Sequence, residues 1–386
     1  MKSKIIGEIS SKLDELFEIS RFLYENPELG GEEHKAEKVL TEWFDKYGFK
    51  VEHSIYGLDT AFRATYNSKK EGAIIAFLCE YDALPQIGHG CGHNLISAMS
   101  MGAALGLKSV LDEIGGKIII LGTPSEETNG AKAMMVERGA FKDVTVAMMV
   151  HPSNVTEESG TSLALNALQF QFTGKAAHAA AAPEKGINAL DGVIQLYNGI
   201  NALRQHLTSD IRIHGIITAG GVAPNIVPDF AEARFYIRAQ KKENLAEVLE
   251  KIKDCAHGAA KMTGTKVTIS FFENSYDNLK TNKSLSALFN ANLKSVGERE
   301  IKPPSNGIGS IDIGNVSNVV PAIHPWIGMG DPEIGLHTKE FADNTITEKG
   351  KETIYKGAYA MAMTAYDVII SKENQNRIYK EFIAQK

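Results

Sequence analysis

His89, Cys91 and His93 alternate with glycines in the stretch EYDALPQIGHGCGHN at 80–94. In extended backbone alternate side chains leave on one side, so the three would share a face. A sulfur and imidazoles at that spacing suit a transition-metal ion. A cysteine near a histidine is also ordinary packing, so the cluster alone does not decide the matter. Two further apolar runs change the weighing. Residues 118–122 (IIILG) lead into TPSEET, with Glu126 and Glu127 adjacent, and 144–150 (VTVAMMV) lead into His151-Pro152, much as 73–79 (AIIAFLC) lead into the first cluster. In open α/β sheets ligands gather at the carboxyl ends of strands, so three such ends point to one crevice.

The elements that must carry these residues read as follows. Apolar residues from Ile6 to Leu23 and from Ala36 to Tyr47 recur at helical spacing, the first stopped by Asn26-Pro27 and the second by Gly48. Strands are expected at 49–55 and 60–66, then the buried strand at 73–79. Residues 95–111, rich in Ala, Met and Leu, read as a helix buried on most of its circumference, with Asn94 as a candidate N-cap. Alternating strands and helices predict a sheet wrapped by crossover helices. After Gly160 the order becomes βαββαβ, with strands at 163–173, 211–219, 230–239 and 266–272 and helices at 187–207 and 243–262. That order is the ferredoxin-like arrangement, inserted in the larger α/β domain. The expected division is 1–162 and 278–386 for the large domain and 163–277 for the insertion. Two glycine-rich loops, SNGIGSIDIGNVS and IGMGDPEIGLHTKE, flank 319–327, and a last helix spans 348–370.

With 386 residues and a net charge of −6, the chain has no basic footprint for nucleic acid or an anionic membrane. The three cysteines, Cys79, Cys91 and Cys255, form no C-x-x-C pair, which predicts a reducing compartment and a cytoplasmic location. The first twenty residues lack the uninterrupted apolar stretch of a secretory signal, and no apolar run of spanning length is expected.

The segment HGCGHN, the paired glutamates, the His-Pro after a strand, GKAAHAAAAPEKGINALD, GSIDIGNVSNVVP and LHTKEF together resemble the M20 metallopeptidase and amidohydrolase family. The likeness is to its amidohydrolase branch, which includes aminobenzoyl-glutamate hydrolases, auxin-conjugate hydrolases and N-acyl amino acid hydrolases. It implies a zinc-peptidase-like catalytic domain with helices on both faces of a mixed sheet, plus an α+β lid that also forms the contact of a homodimer, within a dimer or a higher oligomer. It implies two divalent ions, Zn or Mn with Co or Ni as alternatives, held by Cys91, His93, Glu127, His151 and His337. Glu126 would be the general base and His178 an oxyanion donor reaching into a partner's site. Asp82 and His89 would support the ligands from behind, and Asn225 and Arg238 would hold a substrate carboxylate. Glu80 departs from the pattern, standing where other branches place a histidine ligand, with Cys91 and His93 taking over the coordination. Ser310 and Asp312 would shape the pocket.

The expected activity is hydrolysis of an amide bond in a small N-acyl amino acid, dipeptide or aminobenzoyl-glutamate-like conjugate. Competing readings stay open on residues alone. Glu126-Glu127 also suits the solvated start of a helix, His178 a surface histidine, and Arg238 an exposed strand arginine. Cys91 with His93 or His89 would also suit a thiol amidase, and a binding protein on the same fold would keep these residues without turnover. The lack of a following Pro-Cys-x-x-Cys speaks against a zinc deaminase. His34, His53, His206, His214 and His257 read as structural, while His324 before Pro325 is a candidate to line the crevice.

Overall fold

A computed structural model describes residues 1–385 other than 305, 306 and 308, so part of the SNGIGSIDIGNVS loop lies outside the described residues. The chain divides into two compact units: Met1–Thr161 with Leu279–Gly307 and Ile311–Lys386, and Ser162–Asn278 with Gly309 and Ser310.

In chain order the strands are β1 (Lys50–His53), β2 (Phe62–Asn67), β3 (Ile74–Cys79), β4 (Lys117–Gly122), β5 (Val146–Met148), β6 (His151–Ser153), β7 (Ala164–Thr173), β8 (Arg212–Ala219), β9 (Phe230–Ala239), β10 (Lys266–Phe271), β11 (Ala322–Ile323) and β12 (Trp326–Gly328). The first unit holds a six-stranded mixed sheet in the order β1-β2-β4-β3-β5-β11. β3 runs parallel to both β4 and β5, with Ala76 opposite Ile119 on one side and Ala147 on the other. Both faces of these strands are covered, which is why they read as unbroken apolar runs without alternation.

The run at 144–150 is not one strand. β5 stops at Met148, and His151 opens the separate strand β6, which pairs in parallel with β12. That break places His151 in the separate two-stranded sheet of β6 and β12.

Helix His93–Ile114 lies at the centre of the unit, packed against β3 and against helices Lys2–Glu25 and Glu348–Ile370. It is longer than the span expected from periodicity, and its N-cap is Gly92 with no side-chain cap. Asn94 lies within the helix, its amide donating to Ser20 Oγ (2.9 Å) and Thr345 Oγ1 (3.0 Å). By length and a mean hydropathy of 1.2 this helix could cross a membrane, contrary to expectation, yet 89% of the relevant window is buried inside the protein. Close packing needs small residues: a Cβ at Gly102 would stand 2.8 Å from Ala358 Cβ and 2.9 Å from Leu16 Cδ1.

The second unit is a four-stranded antiparallel sheet, β10-β7-β9-β8, with helices Ala189–Leu203 and Lys242–Thr263 packed on it. β7 pairs with β9 over their full length, from Ala164 opposite Ala239 to Thr173 opposite Phe230. Phe170, Phe172, Phe235 and Ile237 fill its core. A helix absent from the sequence reading, Lys372–Ala384, follows the last expected one; only Ile378 and Phe382 of it are buried, a stripe too thin to announce itself.

Substituting Gly102 by Val should destabilise the first unit by about 1–3 kcal/mol through overpacking. Urea midpoints of the two proteins measure this; an unchanged midpoint would show that the helices have room to separate.

Candidate metal centre

Each strand end delivers its residues by a local device. After β3 the chain continues through Glu80 and Asp82 to the glycine-punctuated turn. Gly92 has a left-handed φ of +76°, and a Cβ there would stand 2.5 Å from Pro152 Cγ, so no side chain fits between this turn and β6. Gly90 supplies the carbonyl that accepts the His337 N–H at 2.9 Å. His337 itself is held at φ 64°, a conformation that costs free energy in a non-glycine residue and recurs at functional sites.

The glutamate pair is not at a helix start. It sits in a turn wrapped around the Ser125 carbonyl, which accepts from the Asn129 and Gly130 amides at 3.1 and 2.7 Å, and the next helix begins only at Ala131. Ser125 is left-handed (φ 60°), and its N–H is tied to Glu33 Oε1 at 2.7 Å. This turn sets Glu126 and Glu127 facing inward.

The structure brings Cys91, His93, Glu126, Glu127, His151 and His337 together. Ligating atoms of Cys91, His93 and His151 lie within 4.8 Å of one another, as do those of Cys91, Glu127 and His337, and those of His93, Glu126 and Glu127. Cys91 Sγ stands 3.5 Å from Nε2 of both His151 and His337. Glu127 Oε1 is 3.6 Å from His337 Nε2 and 3.8 Å from His93 Nε2. Donors bound about 2.0–2.3 Å from a tetrahedral ion stand about 3.3–3.8 Å apart, so these separations suit a shared ion. Two of the converging atoms, His93 Nε2 and Glu127 Oε1, are buried and without a hydrogen-bond partner. Orphans of that kind are rare unless an ion or water answers them.

Asp82 orients two of the candidates. Its Oδ1 faces His93 Nδ1 at 2.9 Å, and its Oδ2 accepts the Glu127 backbone N–H at 2.9 Å. With Nδ1 committed to the carboxylate, Nε2 of His93 is the free nitrogen. The Pro152 carbonyl does the same for His151, 2.6 Å from its Nδ1.

Burial would raise the Asp82 pKa, but His93, the Glu127 amide and Lys132 hold it below the usual aspartate value. Burial opposes a charge on His93 too, yet Asp82 outweighs it and keeps that ring protonated well above the ordinary histidine range in the metal-free protein. Burial pushes the Cys91 thiol well above its usual value. Burial, with the charges of Glu80, Asp312 and Glu127, does the same to the Glu126 carboxyl. His151 is driven well below its usual value by burial and by His324 and His93.

Lys132 escaped the sequence reading. Its side chain is wholly buried, with Nζ 2.6 Å from Glu80 Oε1 and 2.7 Å from Asp312 Oδ1. Burial alone would strip its proton, but Asp312, Glu80 and Glu126 outweigh burial and hold it charged. Its one sequence signal is a lysine in the otherwise apolar GAKAMMV. Asp312 accepts from both the Lys132 ammonium and its backbone N–H. His89 is buried with Nδ1 unpartnered, and no hydrogen bond joins it to a candidate ligand. His324 packs its ring against those of His151 and Trp326, at 5.5 and 4.8 Å between centroids.

The remaining candidates lie in the second unit. His178 is exposed, and its Nδ1 accepts the N–H groups of Ala180 (3.3 Å) and Ala181 (3.2 Å). Its ring proton is therefore on Nε2. A bridge between His178 and Ile226 sets it beside Asn225, whose carbonyl accepts the Ala179 N–H at 3.0 Å. Arg238 donates to Ser310 Oγ at 3.2 Å and keeps a buried Nε without a partner.

Burial lowers the pKa of His324 to about 3, so the native protein refuses a proton that the unfolded chain accepts below about 6.5. That contribution is constant above the unfolded value and falls away as pH drops toward the folded one. The metal-free protein should therefore lose about 2 kcal/mol more between pH 7 and pH 5 than the His324→Asn variant. Parallel urea titrations at the two pH values check this; equal losses would show that the ring takes up its proton in place.

A family model described as a peptidase dimerisation domain matches residues 165–263. The chain is 38% identical to Xaa-Arg dipeptidase of Mus musculus over 397 residues, covering 99% of this chain and 92% of that protein. It is 34% identical to a component of the p-aminobenzoyl-glutamate hydrolase of Escherichia coli over 275 residues, 66% of this chain and 57% of that one. Among solved structures it is similar to the YXEP protein of Bacillus subtilis, described as a dinuclear metal-binding peptidase of the M20 family, with a TM-score of 0.66, 18% identity, and coverage of 92% of this chain and 99% of that one. With a mixed α/β fold and a relative matched along almost its whole length, the chain belongs to the M20 family of peptidases and amidohydrolases and is a hydrolase.

Proposed function

We propose that this protein hydrolyses the amide bond of small dipeptides or N-acyl amino acids at a centre of two divalent cations held by Cys91, His93, Glu127, His151 and His337. The observation that carries this is the convergence of these five, which come from strand ends and loops as far apart in sequence as Cys91 and His337. Bound cations would supply polarisation of the scissile carbonyl and a water of lowered pKa. Sulfur, imidazole and carboxylate together favour borderline metals, with zinc or manganese foremost.

The protein's own groups do the rest. Glu127 faces the ligand cluster, while its neighbour Glu126 takes a proton from the attacking water and delivers it to the leaving amine nitrogen. A carboxyl whose surroundings favour its protonated form suits the delivery half of that cycle. The proton on Nε2 of His178 makes it a donor for an oxyanion, reached from a second copy of the chain through the lid, in keeping with the dimerisation-domain match. Arg238, with a guanidinium N–H unspent, and Asn225 would receive the substrate's free carboxylate. The dipeptidase and aminobenzoyl-glutamate hydrolase relatives place substrates with such a carboxylate in the first panel to test.

A cysteine nucleophile fits less well. Burial holds the Cys91 thiol protonated, whereas a nucleophilic cysteine needs its thiolate.

Glu126→Gln should lower kcat by about 10²–10⁴-fold or more on the substrate that the wild type cleaves best, with two cations still bound; retained turnover would remove it as base. Loading metal-free protein with zinc at pH 7 should expel about two protons, from the Cys91 thiol and the His93 ring. Calorimetry in buffers of different ionisation enthalpy counts them, and a count near zero would speak against both residues as ligands.

A further inference from the structure

Among the buried polar atoms of the first unit that find no hydrogen-bond partner are Glu80 Oε2, His93 Nε2 and Glu127 Oε1. They form a chain of near neighbours. Glu80 Oε2 stands 3.5 Å from His93 Nε2, which stands 3.8 Å from Glu127 Oε1. The Glu80–His93 separation is that of two donors on one ion. The Glu80 side chain is only 3% exposed, so water does not answer its free oxygen from outside. Lys132 does not answer it either, because the ammonium sits 2.6 Å from the other oxygen, Oε1, and shares itself with Asp312. One oxygen of Glu80 is thereby tied down and the second is aimed at His93.

We propose that Glu80 is a further metal ligand, its Oε2 joining His93 Nε2 on one of the two cations. Lys132 and Asp312 fix it as a one-oxygen donor, since Oε1 cannot leave the ammonium without stranding a buried charge. Glu80 is thus more than a vacant slot whose coordination Cys91 and His93 have taken over. It adds a hard oxygen donor and moves the preference of that position toward manganese relative to a site of sulfur and nitrogen donors. The opposing account is that Glu80 only accepts a proton-bearing His93 Nε2 in the metal-free protein. Metal binding at Nε2 would remove that proton, so the two accounts part company in the loaded protein.

Glu80 can play this part only if the centre holds metal as proposed above, and the test separates the two. Metal-free wild type, Glu80→Gln and Glu80→Asp proteins are titrated with Mn²⁺ by calorimetry and with Co²⁺ by visible absorption. Glu80→Gln leaves the Lys132–Asp312 pair in place, and Glu80→Asp keeps the charge while drawing the oxygen back by one methylene. The expected result is two cations on the wild type, one of the two steps weakened about tenfold or more in each variant, and a changed cobalt d–d spectrum for that step. Wild-type affinities and an unaltered spectrum in both variants overturn the assignment. A weakened step with an unaltered spectrum also overturns it, because Glu80 would then act only through its neighbours. A wild type that takes up no divalent cation overturns the metal centre itself.

Discussion

The two oxygens of Asp82 do different work, and the geometry of the centre depends on that division. One orients the His93 ring at the start of the central helix, and the other holds the Glu127 amide in the turn after β4. A single buried carboxylate at the end of β3 therefore sets the angle of an imidazole and the position of a carboxylate that belong to two other elements. Its own charge is kept in the protein interior by the groups it organises. Ligand direction and electrostatic balance are thus one arrangement, as is usual where support residues are nearly as necessary as ligands.

Around that arrangement the protein concentrates like charge. Glu80, Asp82, Glu126, Glu127 and Asp312 crowd one region, and Lys132 is the buried cation set among them. Burial and the neighbouring carboxylates hold the Glu126 and Asp312 carboxyls above their usual values. The shifts on Glu126, Cys91 and His93 favour the protonated form of all three groups in the metal-free protein. At the proposed centre, divalent ions would displace the protons of Cys91 and His93.

Much of this was legible beforehand, and the misses share a cause. β9 and the helix Glu348–Ile370 match their expected spans because their apolar patterns are long and regular. The convergence of the strand-end residues was legible because three apolar runs each end in side chains able to bind a metal. Asn94 was misplaced because its amide is spent on Ser20 and Thr345, partners far away in sequence. The glutamate pair lies in a turn that depends on Glu33 holding the Ser125 amide, again a distant contact. Lys132 drew no notice and Asp312 was expected only to shape the pocket, and folding alone reveals them as a pair. Local pattern reports what a segment does with its neighbours in the chain; it is silent about partners a hundred residues away.

The central helix has a temporal consequence. His93–Ile114 is covered on one side by the N-terminal helix Lys2–Glu25 and on another by Glu348–Ile370, near the end of the chain. On a ribosome the apolar helix would therefore emerge long before its last cover. Over that interval Ser162–Asn278, an unbroken stretch but for its contact with Gly309 and Ser310, is free to close on itself. The early half, with its oily rod, must wait until Glu348–Ile370 has been made, and over that interval its apolar surface is exposed to aggregation.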